Sequence, residues 1–163
     1  MPFYILLLNP EVDYTMIMPD FKDFPRTGRI IGFDWGARRT GVAVTDETRG
    51  FVFVREPICA GRGDDMTKKI ADRIKNENVV GVVFGLPLRM DGTESDTTKM
   101  VRDAVNQIAG MVDLPICFID ETLTSSTAAD ENGFHDKKSA HEKLDSASAK
   151  IILENAIAVI NRQ

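Results

Sequence analysis

Carboxylates at three places in this chain stand where a carboxylate is costly, and their positions suit the holding of divalent metal. Asp34 closes the apolar run Arg29-Ile30-Ile31-Gly32-Phe33, with Gly32 and Gly36 leaving room for close approach of backbone or ligand. Asp120 and Glu121 close a second apolar run, Pro115-Ile116-Cys117-Phe118-Ile119. Asp145 heads a helical stripe: Ala149, Ile152, Ala156 and Ile160 follow it at offsets that keep one face. A carboxylate on a face that packs against a sheet needs a positive partner, because an unpaired buried charge is expensive. Hard cations such as Mg2+ or Mn2+ take oxygen ligands and use a few carboxylates together with substrate phosphate. Two such ions about 4 Å apart activate water and stabilise a leaving oxygen in phosphodiester hydrolysis.

Each acid alone also reads as ordinary structure. Asp34 fits a turn or helix cap, and Asp120-Glu121 before Thr122-Leu123-Thr124 fits a helix start. Asp145 could pair with Lys143, Lys150 or His141. Other side chains divide in the same way. Arg38 and Arg39, just after Asp34, could hold a phosphate or be solvated loop charge; Arg89, Lys99 and Arg102 could extend that rim or line a solvated face. Trp35 could stack on a base or pack on the domain; His141 could steady Asp145 or lie on the surface. Asp91-Gly92 reads as a turn, and Thr124 and Ser125 as caps.

The elements that must position these residues follow from periodicity. Residues 29–34, 40–46 and 51–58 read as three strands with short links, an antiparallel meander. Residues 64–78 carry a helical pattern, and 78–87 is a continuous apolar run suited to a buried strand. Residues 94–110 form a second helix with Met100, Val101, Ala104, Val105 and Ile108 as its stripe. A strand at 114–120, a short helix at 124–131 and a long helix from Ser139 to Ile160 complete the domain. The order βββ-α-β-α-β-α-α predicts an α/β fold with a mixed five-stranded sheet, a meander plus βα units, flanked by helices. Strands ending in acids then deliver them to one edge, where ligands of α/β sheets gather. Residues 1–28, punctuated by Pro2, Pro10, Pro19 and Pro25, read as an extension that packs loosely or frays; 29–163 is the domain.

Bulk properties narrow the function classes. A chain of 163 residues, 43% hydrophobic and 28% charged, is long enough for one domain with its own core. Its net charge of -5 argues against coating nucleic acid by charge alone, yet a basic rim around a metal-filled acidic cluster remains compatible with gripping phosphate. Cys59 and Cys117 lie in apolar runs outside any CxxC pair; both are expected reduced and buried, with no zinc site. No apolar stretch approaches a membrane span, and the short start MPFYILLLNP lacks a basic leader, so a cytoplasmic protein is expected.

Four segments resemble one family in order and separation. RIIGFDWGARRTGVAVTDE, VVFGLPLRMDGTE, FIDETLTS and KLDSASAKIILENAI are similar to the successive motifs of the YqgF/RuvX family, over residues 29–160. The resemblance implies a ribonuclease H-like fold and a metal-dependent nuclease, acting as a Holliday junction resolvase or on precursor 16S ribosomal RNA. It carries the family's acids onto Asp34, Glu121 and Asp145, all among the acids that the cost of burial singles out. Thr122 stands where the family commonly has a basic residue, Arg89 where it has Asn, and Ser146 and Ser148 where it has small alanines. No departure removes a carboxylate, but Thr122 leaves substrate preference open.

The resemblance thus implies an endonuclease that binds nucleic acid, either precursor rRNA or branched DNA. A non-catalytic interaction module on the same scaffold is the alternative. A nucleotide-binding reading rests on FDWGARRTG, which resembles the first phosphate loop of actin-like folds; the chain is too short for two such halves and shows no second Gly-rich loop. Oligomeric state, monomer or homodimer, is open: a two-fold junction would ask for two sites, whereas RNA processing makes no such demand.

Overall fold

In the computed structural model, the described residues are 16–121 and 137–163, with side chains of the last helix described from residue 147 onward. Strands β1 (Ile17–Met18), β2 (Ile30–Asp34), β3 (Arg39–Thr45), β4 (Val52–Cys59), β5 (Gly81–Leu86) and β6 (Ile116–Asp120) form one mixed sheet in the order β1-β6-β5-β2-β3-β4. Helices α1 (Met66–Asn76) and α2 (Asp96–Ala109) connect β4 to β5 and β5 to β6, and α3 (Lys137–Asn161) ends the chain. β2, β3 and β4 are antiparallel neighbours, while β2–β5, β5–β6 and β1–β6 are parallel.

Local chemistry sets the boundaries. Asp65 caps α1, its carboxylate accepting from Thr67 N at 3.0 Å. Ser95 and Thr98 form a reciprocal capping box at the start of α2. β5 is buried at all six positions, as expected of a central strand covered on both faces. One face carries α1 and α2 over Ile31, Phe33, Val42, Val82 and Phe84, with the Phe33 and Phe84 rings stacked at 5.1 Å. The other carries α3, whose Ala149, Ile152, Leu153, Ala156 and Ile160 meet Ile30, Ala43 and Val83.

Helix α3 sits close to the sheet because glycine lies beneath it. A Cβ on Gly32 would stand 2.5 Å from Leu153 Cγ, and one on Gly85 would stand 2.5 Å from Ile152 Cδ1. The sheet has six strands where the periodicity predicts five. The sixth, β1, comes from the segment expected to pack loosely: Ile17 and Met18 pair with Ile116 and Cys117, and Ile116 N donates to Met16 O at 2.9 Å. Phe21 and Phe24 from the same segment are buried, Phe24 lying against Gly81. A two-residue strand between prolines has no alternation to detect, which is why the sequence reading missed it. The helix expected at 124–131 lies outside the described residues.

Candidate active site

The neighbours β2, β5 and β6 run parallel, so their carboxyl ends share one edge of the sheet. Asp34 ends β2 there and is half-buried. Glu121 follows directly on β6, and its backbone N–H donates to Leu86 O at the end of β5 at 3.0 Å. This bond extends the β5–β6 ladder by one residue and fixes where the Glu121 side chain departs. A Cβ on Gly85 would lie 2.6 Å from Glu121 Oε2, so the carboxyl group rests over β5, the strand between the two acids. Glycine at position 85 therefore makes room for Glu121 on one side chain's account and for Ile152 on another's. In the sequence residue 85 is only part of an apolar run, although a glycine inside a strand is itself a signal of close approach.

The electrostatics of this pair are unusual. Glu121 is only 9% exposed, and its Oε1 is buried with no hydrogen-bond partner among the described residues. Burial first, and the negative charge of Asp34 second, push its carboxyl up to about 8 from an ordinary 4.5. A carboxyl oxygen without a donor, beside a second carboxylate, is an environment that a hard divalent cation relieves. The oxygen donors present thus fit such a cation. Among the described residues no group of three or more His, Cys, Asp or Glu comes together. Asp145 lies in α3, about two turns before Ile152, and its side chain is outside the described residues.

The basic candidates stand at the same edge of the sheet. Asp34 pairs with Gly41 across β2–β3, which places Arg38 and Arg39 on the adjoining loop and the first residue of β3. Arg38 is exposed, and its carbonyl accepts from Ala60 N at 2.9 Å. The loop is tied by Thr40, whose hydroxyl donates to Gly36 O at 3.1 Å and accepts from Gly36 N at 3.3 Å. Gly36 is required there, since a Cβ would run into the Arg39 carbonyl. Arg89 belongs to the turn after β5, where Asp91 accepts from the Thr93 amide at 3.0 Å and its hydroxyl at 2.6 Å; Arg89 Nη1 donates to Glu94 O at 3.2 Å.

Other residues take structural roles. Arg102 pairs with Glu94 and lies 5.3 Å over the Phe118 ring, and Lys99 is exposed. Trp35 is half-buried against the α1–α2 core, with its indole N–H buried and without a partner among the described residues. Both cysteines are free; Cys117 is buried, its thiol pushed up to about 12 by burial and then by Asp20. Cys59, expected buried, is exposed, because it ends an edge strand. Thr122, Thr124 and Ser125 lie outside the described residues, as does the side chain of His141. Among the described residues, no helix is long and apolar enough to cross a membrane.

Comparison with known proteins agrees with this architecture. The family model RuvX, described as Holliday junction resolvase, matches residues 28–158. A relative from Maridesulfovibrio salexigens, provisionally named a pre-16S rRNA nuclease, is 38% identical over 133 residues, covering 80% of this chain and 98% of that protein. One of the same provisional name from Rhodobacter capsulatus is 33% identical over 153 residues, covering 87% and 93%. The structure of Thermus thermophilus RuvC in complex with Holliday junction substrate superposes with a TM-score of 0.51 at 10% identity, covering 82% of this chain and 96% of that one. At that identity the likeness speaks for the ribonuclease H-like fold alone. The family match, which spans most of the chain and is supported by relatives above 30% identity, shows that this chain belongs to the RuvX family, described as Holliday junction resolvases.

Proposed function

We propose that this chain is a metal-dependent endonuclease that hydrolyses phosphodiester bonds in structured nucleic acid, with precursor 16S rRNA and the Holliday junction as candidate substrates. The observation that carries the reading is the Glu121 carboxyl, buried with one oxygen unpartnered among the described residues and close enough to Asp34 to feel its charge. Membership of a family described as resolvases, and relatives named for rRNA processing, support it.

In this reading Asp34, Glu121 and Asp145 hold Mg2+ or Mn2+. The metal, when bound, supplies an activated water and charge for the leaving oxygen. Asp34 is fixed by the last pairing of β2, and Glu121 by its backbone bond to Leu86. Glu121 would hold the cation through its carboxylate oxygens in the deprotonated form. Arg38, Arg39 and Arg89 hold the phosphate backbone at the rim, and Arg89 exchanges its bond to the Glu94 carbonyl for a phosphate oxygen. The protein acts in the cytoplasm, as a monomer or homodimer.

The test is cleavage of end-labelled precursor 16S rRNA and a four-way DNA junction with Mg2+ or Mn2+, wild type beside Asp34→Asn. Metal-dependent cutting that the substitution abolishes supports the site, and the substrate cut separates RNA from DNA. A folded, metal-supplied wild type that cuts neither overturns the reading in favour of a binding module.

A further inference from the structure

Strand β4 is an edge of the sheet, and its two halves are treated differently. The second half is guarded. Arg73 Nη1 from α1 donates to Glu56 O at 3.1 Å, and Lys69 Nζ donates to Cys59 O at 2.9 Å. Pro57 has no N–H, and a register shift interrupts the ladder here. These are the usual devices against edge-to-edge pairing. Among the described residues, the first half has none of them. Asp46 N donates to Phe51 O at 3.3 Å, so Phe51 turns its backbone groups toward β3. By alternation Phe53 and Arg55 do the same, while Val52 and Val54 turn theirs outward. Around that open stretch the surface is apolar: Phe51 is 68% exposed, Phe53 46% and Val54 45%, with the two rings 6.4 Å apart.

We infer that two copies of this chain pair through the first half of β4, antiparallel about a two-fold axis at Phe53. This register joins the outward groups of Val52 to those of the partner's Val54, and those of Val54 to the partner's Val52, giving four backbone hydrogen bonds. It sets Phe53 against the partner's Phe53, and Arg55 against the partner's Phe51, a cation facing an aromatic ring. The two valine pairs share the opposite face. Neighbouring registers are worse. A shift toward Glu56 sets Val52 against Glu56, a charged residue whose backbone carbonyl Arg73 already holds, and one step further brings Arg55 against its own copy, like charge on like. The two-fold stands perpendicular to the sheet, so the carboxylate edges of the two copies point in opposite directions and neither is covered. The inference does not rest on the proposed nuclease activity.

Cross-linking tests the register. In a Cys59→Ser background, Phe53→Cys is expected to form a disulfide-linked dimer under mild oxidation. Directly opposed residues of a non-hydrogen-bonded pair lie about 4.5 Å apart, within disulfide reach. Phe51→Cys is the control: its two copies are separated by four residues along the strands, roughly 13 Å, and should not link. Sedimentation should show the wild type gaining mass with concentration and Phe53→Asp remaining monomeric with its melting temperature kept. A wild type that stays monomeric throughout overturns the inference. So does equal linking by both cysteine variants, or a Phe53→Asp protein that still dimerises.

Discussion

Replacing Glu121 by Gln should stabilise the metal-free protein at neutral and alkaline pH. A carboxyl whose proton affinity rises on folding supports the folded state while protonated. Stability is therefore greatest below the ordinary value of 4.5 and falls as the pH climbs toward the folded value of about 8. Each tenfold change in proton affinity is worth about 1.4 kcal/mol. At about pH 7 the unfolded carboxyl is ionised and the folded one mostly is not, so ionisation works against folding by on the order of 3 kcal/mol. Gln keeps the shape and the neutral state at every pH. In a chain of this size that difference corresponds to roughly 6–12 °C in Tm. The assay is calorimetry of wild type and Glu121→Gln in chelator, from about pH 5 to about pH 8. The melting curves should coincide at the acid end and separate in favour of Gln as the pH rises. Saturating Mg2+ should close the gap by stabilising the wild type alone. Parallel pH profiles for the two proteins in chelator would refute the reasoning, since they would mean Glu121 ionises as freely in the fold as outside it.

Asp34→Asn removes the second cause of the Glu121 shift, so it should narrow the pH dependence of metal-free melting while reducing cleavage at least about a hundredfold; unchanged profiles on both counts would contradict the pairing of the two acids. Gly85→Ala drives a methyl into Ile152 and Glu121 and should cost about 2–3 kcal/mol in urea unfolding. Ser95→Ala breaks the α2 capping box and should lose about 1 kcal/mol without changing cleavage, as read by unfolding and turnover together. If Arg38 contacts phosphate, Arg38→Ala should lower the slope of log affinity against log salt by about one and weaken all nucleic-acid substrates alike.

What the sequence revealed of the site depended on where each residue sits relative to a period. Asp34 and Glu121 break apolar runs at strand ends, so their burial could be inferred from position, and the structure brings this pair together. The long stripe after Asp145 announced α3 and its buried face at Ala149, Ile152, Ala156 and Ile160. Gly85 escaped because an apolar run hides a missing side chain. β1 escaped because two residues between prolines carry no alternation, and the buried Phe21 and Phe24 belong to no period. The strand at 51–58 was legible as a strand, but its exposure was not: only the sheet order, which puts β4 at an edge, makes Phe51 and Phe53 surface. Arg102 could not be assigned from its helix either, since its partners Glu94 and Phe118 come from a loop and a strand.

The two glycines beneath α3 make that helix a ruler. With Leu153 seated over Gly32 and Ile152 over Gly85, its axial and rotational setting against the sheet is fixed by two side chains with no slack below them. Every backbone position upstream is then dead-reckoned from that anchor, Asp145 included. A single residue inserted between Asp145 and Ile152 would leave the anchor untouched, yet swing the Asp145 backbone about 100° around the axis and carry it about 1.5 Å along it. Spacing along this stretch should therefore tolerate substitution far better than any change in length.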